Sequence, residues 1–158
     1  SDVYKRQDYD NATRYNDQVV DAILARFTDR DAIAVYLSDH GEEVYDYRDF
    51  FCRSHDLPLT PEVCKYQFEI PFMIWMSDTY RRNRPDVAAQ VAGALDRPFS
   101  AEDLSHLLLD LAGIRCRWYD PARSLIGERF DTTRPRPLLM GFEPAGNYET
   151  IIGRDRKQ

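Results

Sequence analysis

Apolar and polar side chains along this chain follow two different periods, which predicts that helices and strands alternate. Over residues 15–27 apolar side chains recur at helical spacing, while the polar Asp17, Gln18 and Asp21 lie off that stripe. Residues 32–37 and 72–76 are short, unbroken apolar runs, which are typical of strands buried on both faces. The pattern therefore predicts an amphipathic helix and two buried strands.

Two further helices are predicted from the residues that begin and end them. Pro85 fits a first helical turn, so one helix is predicted from Pro85 to Leu95. Another is predicted from an N-cap at Ser100, with Asp103 as the acidic partner of a capping box. Gly113 is a natural C-terminal stop for that second helix.

The remaining segments predict two strands and one long excursion. Residues 114–119 predict a strand with Cys116 in the core, and residues 138–140 predict a strand at a sheet edge. Residues 41–69 follow the first strand as a long segment rich in aromatic side chains, and long structured loops usually serve a site. The order of elements predicts an α/β fold class.

The first predicted strand leads directly into the pair Asp39-His40. In open α/β sheets the carboxyl ends of strands hold the active site. Carboxylate and imidazole are both zinc ligands, although an Asp-His pair also occurs as a simple hydrogen-bonded turn. Gly41 is expected to let the backbone turn sharply through positive φ. These residues predict a metal site at the sheet edge.

Composition narrows the class of partner. The chain has 158 residues, a formal net charge of -6 and 43% hydrophobic residues, which suits one globular domain. An acidic balance argues against non-specific nucleic-acid binding, which relies on Lys and Arg neutralising phosphates. The sequence contains no apolar run of the ~18 residues that a membrane span needs.

Two cysteines flank the loop that carries His55. A disulfide between Cys52 and Cys64 would fasten this loop in an oxidising compartment, but two free buried thiols explain the residues equally well. The sequence leaves both alternatives open, and it does not indicate the oligomeric state.

Six segments, in the same order, carry a resemblance that extends over about residues 8–126. They include a Tyr-Asp-Asn helix entry, the Asp-His-Gly motif and a His-x-Leu-Pro loop, and they span residues 9–17, 36–42, 54–58, 69–77, 103–114 and 119–124. In these segments the chain resembles the phosphoethanolamine transferases of the sulfatase and alkaline-phosphatase superfamily. The resemblance implies a three-layer α/β/α sandwich with a mostly parallel mixed sheet, truncated at its N-terminus.

The resemblance also implies a role for each candidate site residue. Asp39 and His40 correspond to two zinc ligands of the family. His55 corresponds to a loop histidine that serves the substrate phosphate or a second metal, although Asp56 replaces the family's Gly. Glu42 follows the motif and either orients His40 through its free ring nitrogen or is an exposed carboxylate.

The implied reaction moves phosphoethanolamine from a phospholipid to lipid A or a related glycan through a covalently modified threonine. In the family that threonine and another carboxylate ligand lie upstream, so no catalytic nucleophile is expected in this chain, and the fragment alone is expected to be inactive. The resemblance implies a periplasmic domain of a bacterial inner-membrane protein, anchored by an N-terminal transmembrane domain outside this chain.

Three regions are expected along the chain. Residues 1–7 match the in-frame translation of a transposase adaptor used in sequencing libraries, and we expect them to be an artefact. Residues 8–152 are expected to be the C-terminal part of the catalytic domain, and residues 153–158 a polar tail. Asp39 and His40 are expected at the end of a central parallel strand, with His55 folding back toward them.

Two other functions fit parts of the pattern. A sulfatase or phosphatase on the same fold would transfer the group to water rather than to a lipid sugar. A non-catalytic binding domain with a degenerate site is the other alternative, but it requires none of Asp39, His40 and His55.

Overall fold

The computed structural model describes residues 2–55 and 57–153, which form a mixture of helices and short strands. In chain order the elements are α1 (Asp2–Ala25), β1 (Ile33–Leu37), β2 (Glu43–Val44), β3 (Phe51–Cys52), α2 (Pro61–Phe68), β4 (Phe72–Met76), α3 (Asp78–Asn83), α4 (Pro85–Ala92), a 3-10 turn (Ala101–Asp103), α5 (Leu104–Leu111), β5 (Pro137–Met140), β6 (Glu143–Asn147) and α6 (Tyr148–Ile152). The two apolar runs are strands, as predicted.

The described strands form three antiparallel pairs: β1 with β4, β2 with β3, and β5 with β6. In the first pair Ile33 lies opposite Met76 and Leu37 opposite Phe72. The family resemblance implies a parallel neighbour for β1, whereas its neighbour in the described part of the chain, β4, is antiparallel. Both strands are half-buried rather than buried on both faces.

A single serine joins β1, β4 and α3. The Ser77 hydroxyl donates to the Arg30 carbonyl oxygen at 2.6 Å and accepts from the Ala32 N–H at 3.3 Å. It also accepts from the Tyr80 N–H at 3.0 Å and so caps α3. Because Ser77 is buried, these bonds fix where β1 begins relative to the end of β4.

The predicted helices exist, but one begins differently. The helix predicted over 15–27 ends at Ala25, and α4 ends at Ala92, earlier than Leu95. Ser100 makes no side-chain capping bond, so the predicted capping box is wrong: a 3-10 turn comes first, and the Asp103 carboxylate binds Arg123 instead. Gly113 has φ +67 and ends the helix as predicted.

The strand predicted over 114–119 is wrong. This segment is irregular with a turn after α5, and at least half of the surface of Ile114 and of Trp118 is exposed. Cys116 is exposed as well, so its predicted place in the core is also wrong. Apolar content alone does not make a strand, because the backbone N–H and C=O groups need a partner strand.

Two separate hydrophobic clusters form the core. The first is built on Val91, Leu107 and Ile126, with side chains of β4 packed against it. The second is built on Val63, Cys64 and Ile151, with side chains of β5 packed against it. The core of the described residues is therefore divided between two separate clusters.

The long helix α1 lies mostly in solvent. It contacts the rest of the chain through polar bonds, from Arg6 Nε to the Val44 carbonyl oxygen at 2.8 Å and from Asn16 Nδ2 to the Tyr36 hydroxyl at 2.6 Å. Residues 2–7 continue α1 without a break, and their assignment to an adaptor stays a prediction.

Residues 154–158 of the predicted tail lie outside the described residues. None of the helices in the described part combines the length and hydrophobicity of a membrane span.

Candidate metal and phosphate site

Asp39 and His40 lie immediately after the carboxyl end of β1, as predicted from the sequence. The His40 N–H donates to Asp39 Oδ1 at 3.1 Å, and His40 Nε2 lies 3.7 Å from Asp39 Oδ2. Two ligands of one tetrahedral zinc, each about 2.0–2.2 Å from the metal, are about 3.3 Å apart. The two donor atoms are therefore nearly at the separation that a shared zinc ion requires.

The other ring nitrogen of His40 is already engaged. His40 Nδ1 donates to the Gly41 carbonyl oxygen at 2.9 Å, which leaves Nε2 with its lone pair free for a metal. From the sequence, Glu42 is either the partner of a His40 ring nitrogen or an exposed carboxylate. The structure gives that contact to the Gly41 carbonyl oxygen, and no hydrogen bond from Glu42 to His40 occurs among the described residues.

Gly41 is required for a different reason from the one that the sequence suggests. It does not have positive φ. Instead, its backbone runs against α2, where its N–H donates to the Gln67 carbonyl oxygen at 3.1 Å. A Cβ at this position would lie 2.2 Å from the Tyr66 carbonyl oxygen, which is far inside van der Waals contact. The motif is thus pressed against α2 without a side chain between them.

A buried carboxylate that sequence analysis did not single out lies next in the chain. Glu43 is 1% exposed and accepts hydrogen bonds from Arg48 at 2.7 Å and from Gln67. Burial opposes its ionisation, but the bonds from Arg48 and Gln67 outweigh burial and hold the pKa of the Glu43 carboxyl below its usual value. The sequence signal is faint: an acidic residue beside Val44, with Arg48 five positions later.

His55 lines the same cavity as Asp39 and His40. This cavity has a volume of about 830 Å³, which is within the ~300–1,000 Å³ range of small-molecule sites. The loop that carries His55 begins after β3. The neighbouring Ser54 is buried and accepts hydrogen bonds from Arg48 and Gln67. The structure therefore brings three of the four predicted site residues, Asp39, His40 and His55, to one cavity, and Glu42 is not among the residues that line it.

The rest of the cavity wall is of two kinds. Its apolar side comes from both core clusters and includes Phe72, Phe99, Leu138 and Met140. Its polar side includes Tyr148, whose hydroxyl donates to Glu69 Oε1 at 2.5 Å. Burial and the bond to Glu69 raise the pKa of Tyr148 to about 12, so this hydroxyl stays protonated near neutral pH.

The remaining histidine and the cysteines have other roles. His106 is buried, and its Nδ1 accepts from the Asp120 N–H at 3.0 Å, as expected for a structural histidine. Cys52 and Cys64 are both free thiols, so the suggested disulfide is not present. Burial raises the pKa of the Cys64 thiol to about 11. Over residues 2–55 and 57–153 no three His, Cys, Asp or Glu side chains come together as a complete metal site.

Comparison with known proteins identifies the family to which this chain belongs. A family model described as Sulfatase matches residues 2–114. The phosphoethanolamine transferase EptC of Escherichia coli O18:K1:H7 (strain RS218 / NMEC) is 39% identical over 132 residues, which are 80% of this chain and 22% of that protein. The chain therefore spans about a fifth of the length of this relative.

Solved structures of one domain have the same fold. The crystal structure of the C-terminal periplasmic domain of EcEptC from Escherichia coli matches 94% of this chain and 41% of its own, with a TM-score of 0.75 and 34% identity. A crystal structure of that domain in complex with Zn matches with a TM-score of 0.72 and 32% identity, over 92% of this chain and 42% of its own. The α/β, sulfatase-like fold class expected from the sequence is confirmed by these matches.

Proposed function

Since the chain belongs to the Sulfatase family, we propose that it is part of the catalytic domain of a zinc-dependent phosphoethanolamine transferase. One observation carries the proposal. Asp39 Oδ2 and His40 Nε2 lie 3.7 Å apart after the end of β1, and Asp39 and His40 line the same cavity as His55. The similarity to EptC supports the reaction class, and the zinc complex of the EcEptC domain supports the metal.

In the proposed site some side chains would bind the metal and others the substrate phosphate. Asp39 supplies a carboxylate oxygen and His40 a ring nitrogen whose tautomer is fixed by the bond from Nδ1 to Gly41. When bound, zinc would polarise phosphoryl oxygens and favour an ionised nucleophile. His55 would hold the substrate phosphate, or a second metal, from the opposite loop. Glu42 would act at most as an outer residue of the site.

The proposed setting follows from the resemblance and from the periplasmic location of the EcEptC domain. The donor is a phospholipid, and the acceptor is lipid A or a related glycan. The covalent threonine and the transmembrane anchor belong to parts of the parent protein outside this chain, and the domain lies in the periplasm at the inner membrane.

The whole parent enzyme tests the proposal. His40→Ala should abolish transfer, because it removes a zinc ligand and leaves the nucleophile unactivated. His55→Ala should lower the rate while the principal zinc remains bound. Glu42→Gln should be mildest, at or below the ~10–100-fold effects of residues that orient ligands.

Mass spectrometry of lipid A from cells that carry each variant gives the product, and the metal content of the purified proteins gives the zinc. Full modification of lipid A by the His40→Ala enzyme would contradict the proposed metal site. A product formed by transfer to water, with lipid A unmodified by the unaltered enzyme, would favour a hydrolase on the same fold.

A further inference from the structure

The carboxylate of Glu43 is the centre of a polar cluster beside the candidate site, which we call the Glu43 cluster: Glu43, Arg48, Ser54 and Gln67. Ser54 and Gln67 also line the cavity. Arg48 donates to both carboxylate oxygens through Nε and Nη2, each at 2.7 Å. Arg48 Nη2 also donates to Ser54 Oγ at 2.9 Å, and Gln67 Nε2 donates to Ser54 Oγ at 3.2 Å. Glu43, Ser54 and Gln67 are all buried.

The members of the cluster come from the segments that carry the site. Glu43 follows His40 by three residues, and Ser54 directly precedes His55. Gln67 belongs to α2, and its carbonyl oxygen accepts the Gly41 N–H. The cluster therefore ties together the Asp39-His40 turn, the His55 loop and the helix against which Gly41 lies.

Stability alone does not account for such a cluster. Burying the Glu43 carboxylate requires removing it from water, although the side chain of its partner Arg48 stays 33% exposed, and well-packed apolar residues in place of a buried ion pair are often as stable or more so. A bidentate pair does, however, define geometry closely, because both hydrogen bonds must form at once. A bidentate ion pair is therefore most useful where the relative position of two loops must be fixed.

We propose that Glu43 is a positioning residue that, through Arg48, Gln67 and Ser54, holds the His55 loop in place against the Asp39-His40 turn. The catalytic consequence rests on the proposed function, whereas the positioning itself does not. Glu43 does not touch substrate or metal in this role, and it acts on the reaction only through the place of His55.

The test uses three substitutions, each in the whole parent enzyme and in the 158-residue chain. Glu43→Gln keeps the shape and removes the charge, and Ser54→Ala removes the bonds beside His55 without leaving a buried charge unpaired. Asp103→Asn is the matched control, because Asp103 is also a buried carboxylate bound by an arginine, Arg123, but does not line the cavity.

In the whole enzyme, kcat, KM, zinc content and unfolding temperature are measured well below the unfolding transition. Glu43→Gln should lower kcat about 10-fold at unchanged zinc content, and Ser54→Ala should lower it less. Asp103→Asn should lower the unfolding temperature and leave kcat unchanged. Equal kcat per folded molecule in Glu43→Gln and Asp103→Asn would overturn the proposal. If Glu43→Gln does not fold, Ser54→Ala decides, and an unchanged kcat there has the same meaning.

In the 158-residue chain, the Cε1–Hε1 NMR signal of His55 reports the position of the loop without substrate. The signal should shift or broaden in Glu43→Gln and in Ser54→Ala but not in Asp103→Asn. An unchanged His55 signal in both cluster variants would refute the positioning role. If the unaltered whole enzyme transfers no phosphoethanolamine, the proposed function fails, and this signal still decides the role of Glu43.

Discussion

At the scale of single residues, the site depends on how closely two backbones approach. Gly41 lies where the turn after β1 meets the last residues of α2, and the missing Cβ lets the Gly41 N–H reach the Gln67 carbonyl oxygen. The sequence indicates a glycine-dependent turn but not which feature of glycine is used. The distance to α2 becomes visible only after residues 41 and 67 have come together in the fold.

Gly41→Ala should therefore destabilise the protein. The new Cβ would overlap the backbone oxygen of Tyr66, which cannot rotate away, so we expect a loss of about 1–3 kcal/mol in the free energy of unfolding. Gly93→Ala is the matched control, since its Cβ would lie 3.4 Å from the Ala89 carbonyl oxygen and φ is -73. Urea unfolding of both variants measures the difference. Equal stability of the two would contradict the close approach at Gly41.

The ionisation of Glu43 gives a dependence on pH. Its folded pKa lies below the unfolded value of about 4.3, so the ionised cluster stabilises the fold above that value, and the contribution is lost as the pH falls through the folded pKa. The difference in unfolding free energy between the unaltered chain and Glu43→Gln should shrink as the pH falls below the unfolded pKa of about 4.3. Urea unfolding at several pH values measures it. A difference independent of pH would mean that folding does not lower the pKa of Glu43.

At the scale of elements, the sequence predicts well where an element depends on its own residues. The apolar runs gave β1 and β4, and Pro85 and Gly113 mark a helix start and a helix end as predicted. Prediction of an element from its own residues fails where a residue far away in the sequence determines the local structure. Asp103 binds Arg123, twenty positions later, instead of completing a capping box with Ser100, and residues 114–119 lack a described partner strand.

Capping of α2 can be tested against the absent cap at Ser100. Thr60 Oγ1 accepts from the Val63 N–H at 3.3 Å at the start of α2, the helix that carries Cys64 into the second core cluster. Thr60→Ala should lower the free energy of unfolding by about 1 kcal/mol. Ser100→Ala should leave it nearly unchanged, because Ser100 makes no capping bond. Thermal unfolding compares the two, and a larger loss in Ser100→Ala would contradict the assignment.

At the scale of the whole molecule, the sequence predicted the contiguous part of the candidate site, and the family resemblance added His55, which stands fifteen positions after His40. Asp39 and His40 are neighbours in a motif, so the sequence shows them together. Glu43 was missed because its partners Arg48 and Gln67 stand five and twenty-four positions later and meet it only through the β2–β3 hairpin and α2. The antiparallel pairing of β1 with β4 was missed for a related reason, since apolar runs do not record strand direction.

The 158-residue chain should bind zinc only weakly. Asp39 and His40 supply two ligands, and the described part of the chain offers no group of three, whereas a structural zinc site normally has four. We expect a dissociation constant no tighter than about 1 µM, or about 8 kcal/mol of binding free energy. Isothermal titration calorimetry measures it, with His40→Ala as the control that should remove the remaining binding. Tight stoichiometric binding by the unaltered chain would contradict a two-ligand site.

The cavity lies between the two core clusters, so its walls belong to two different packing units. Phe72 and Phe99 pack with the first cluster, and Leu138 and Met140 pack with the second. Separately packed clusters commonly open as separate cooperative units, each with its own free energy of local unfolding. A molecule that fills the cavity touches both walls, and binding that requires both units closed stabilises them together by mass action. Substrate occupancy would thus be a source of cooperativity between the two halves of the core.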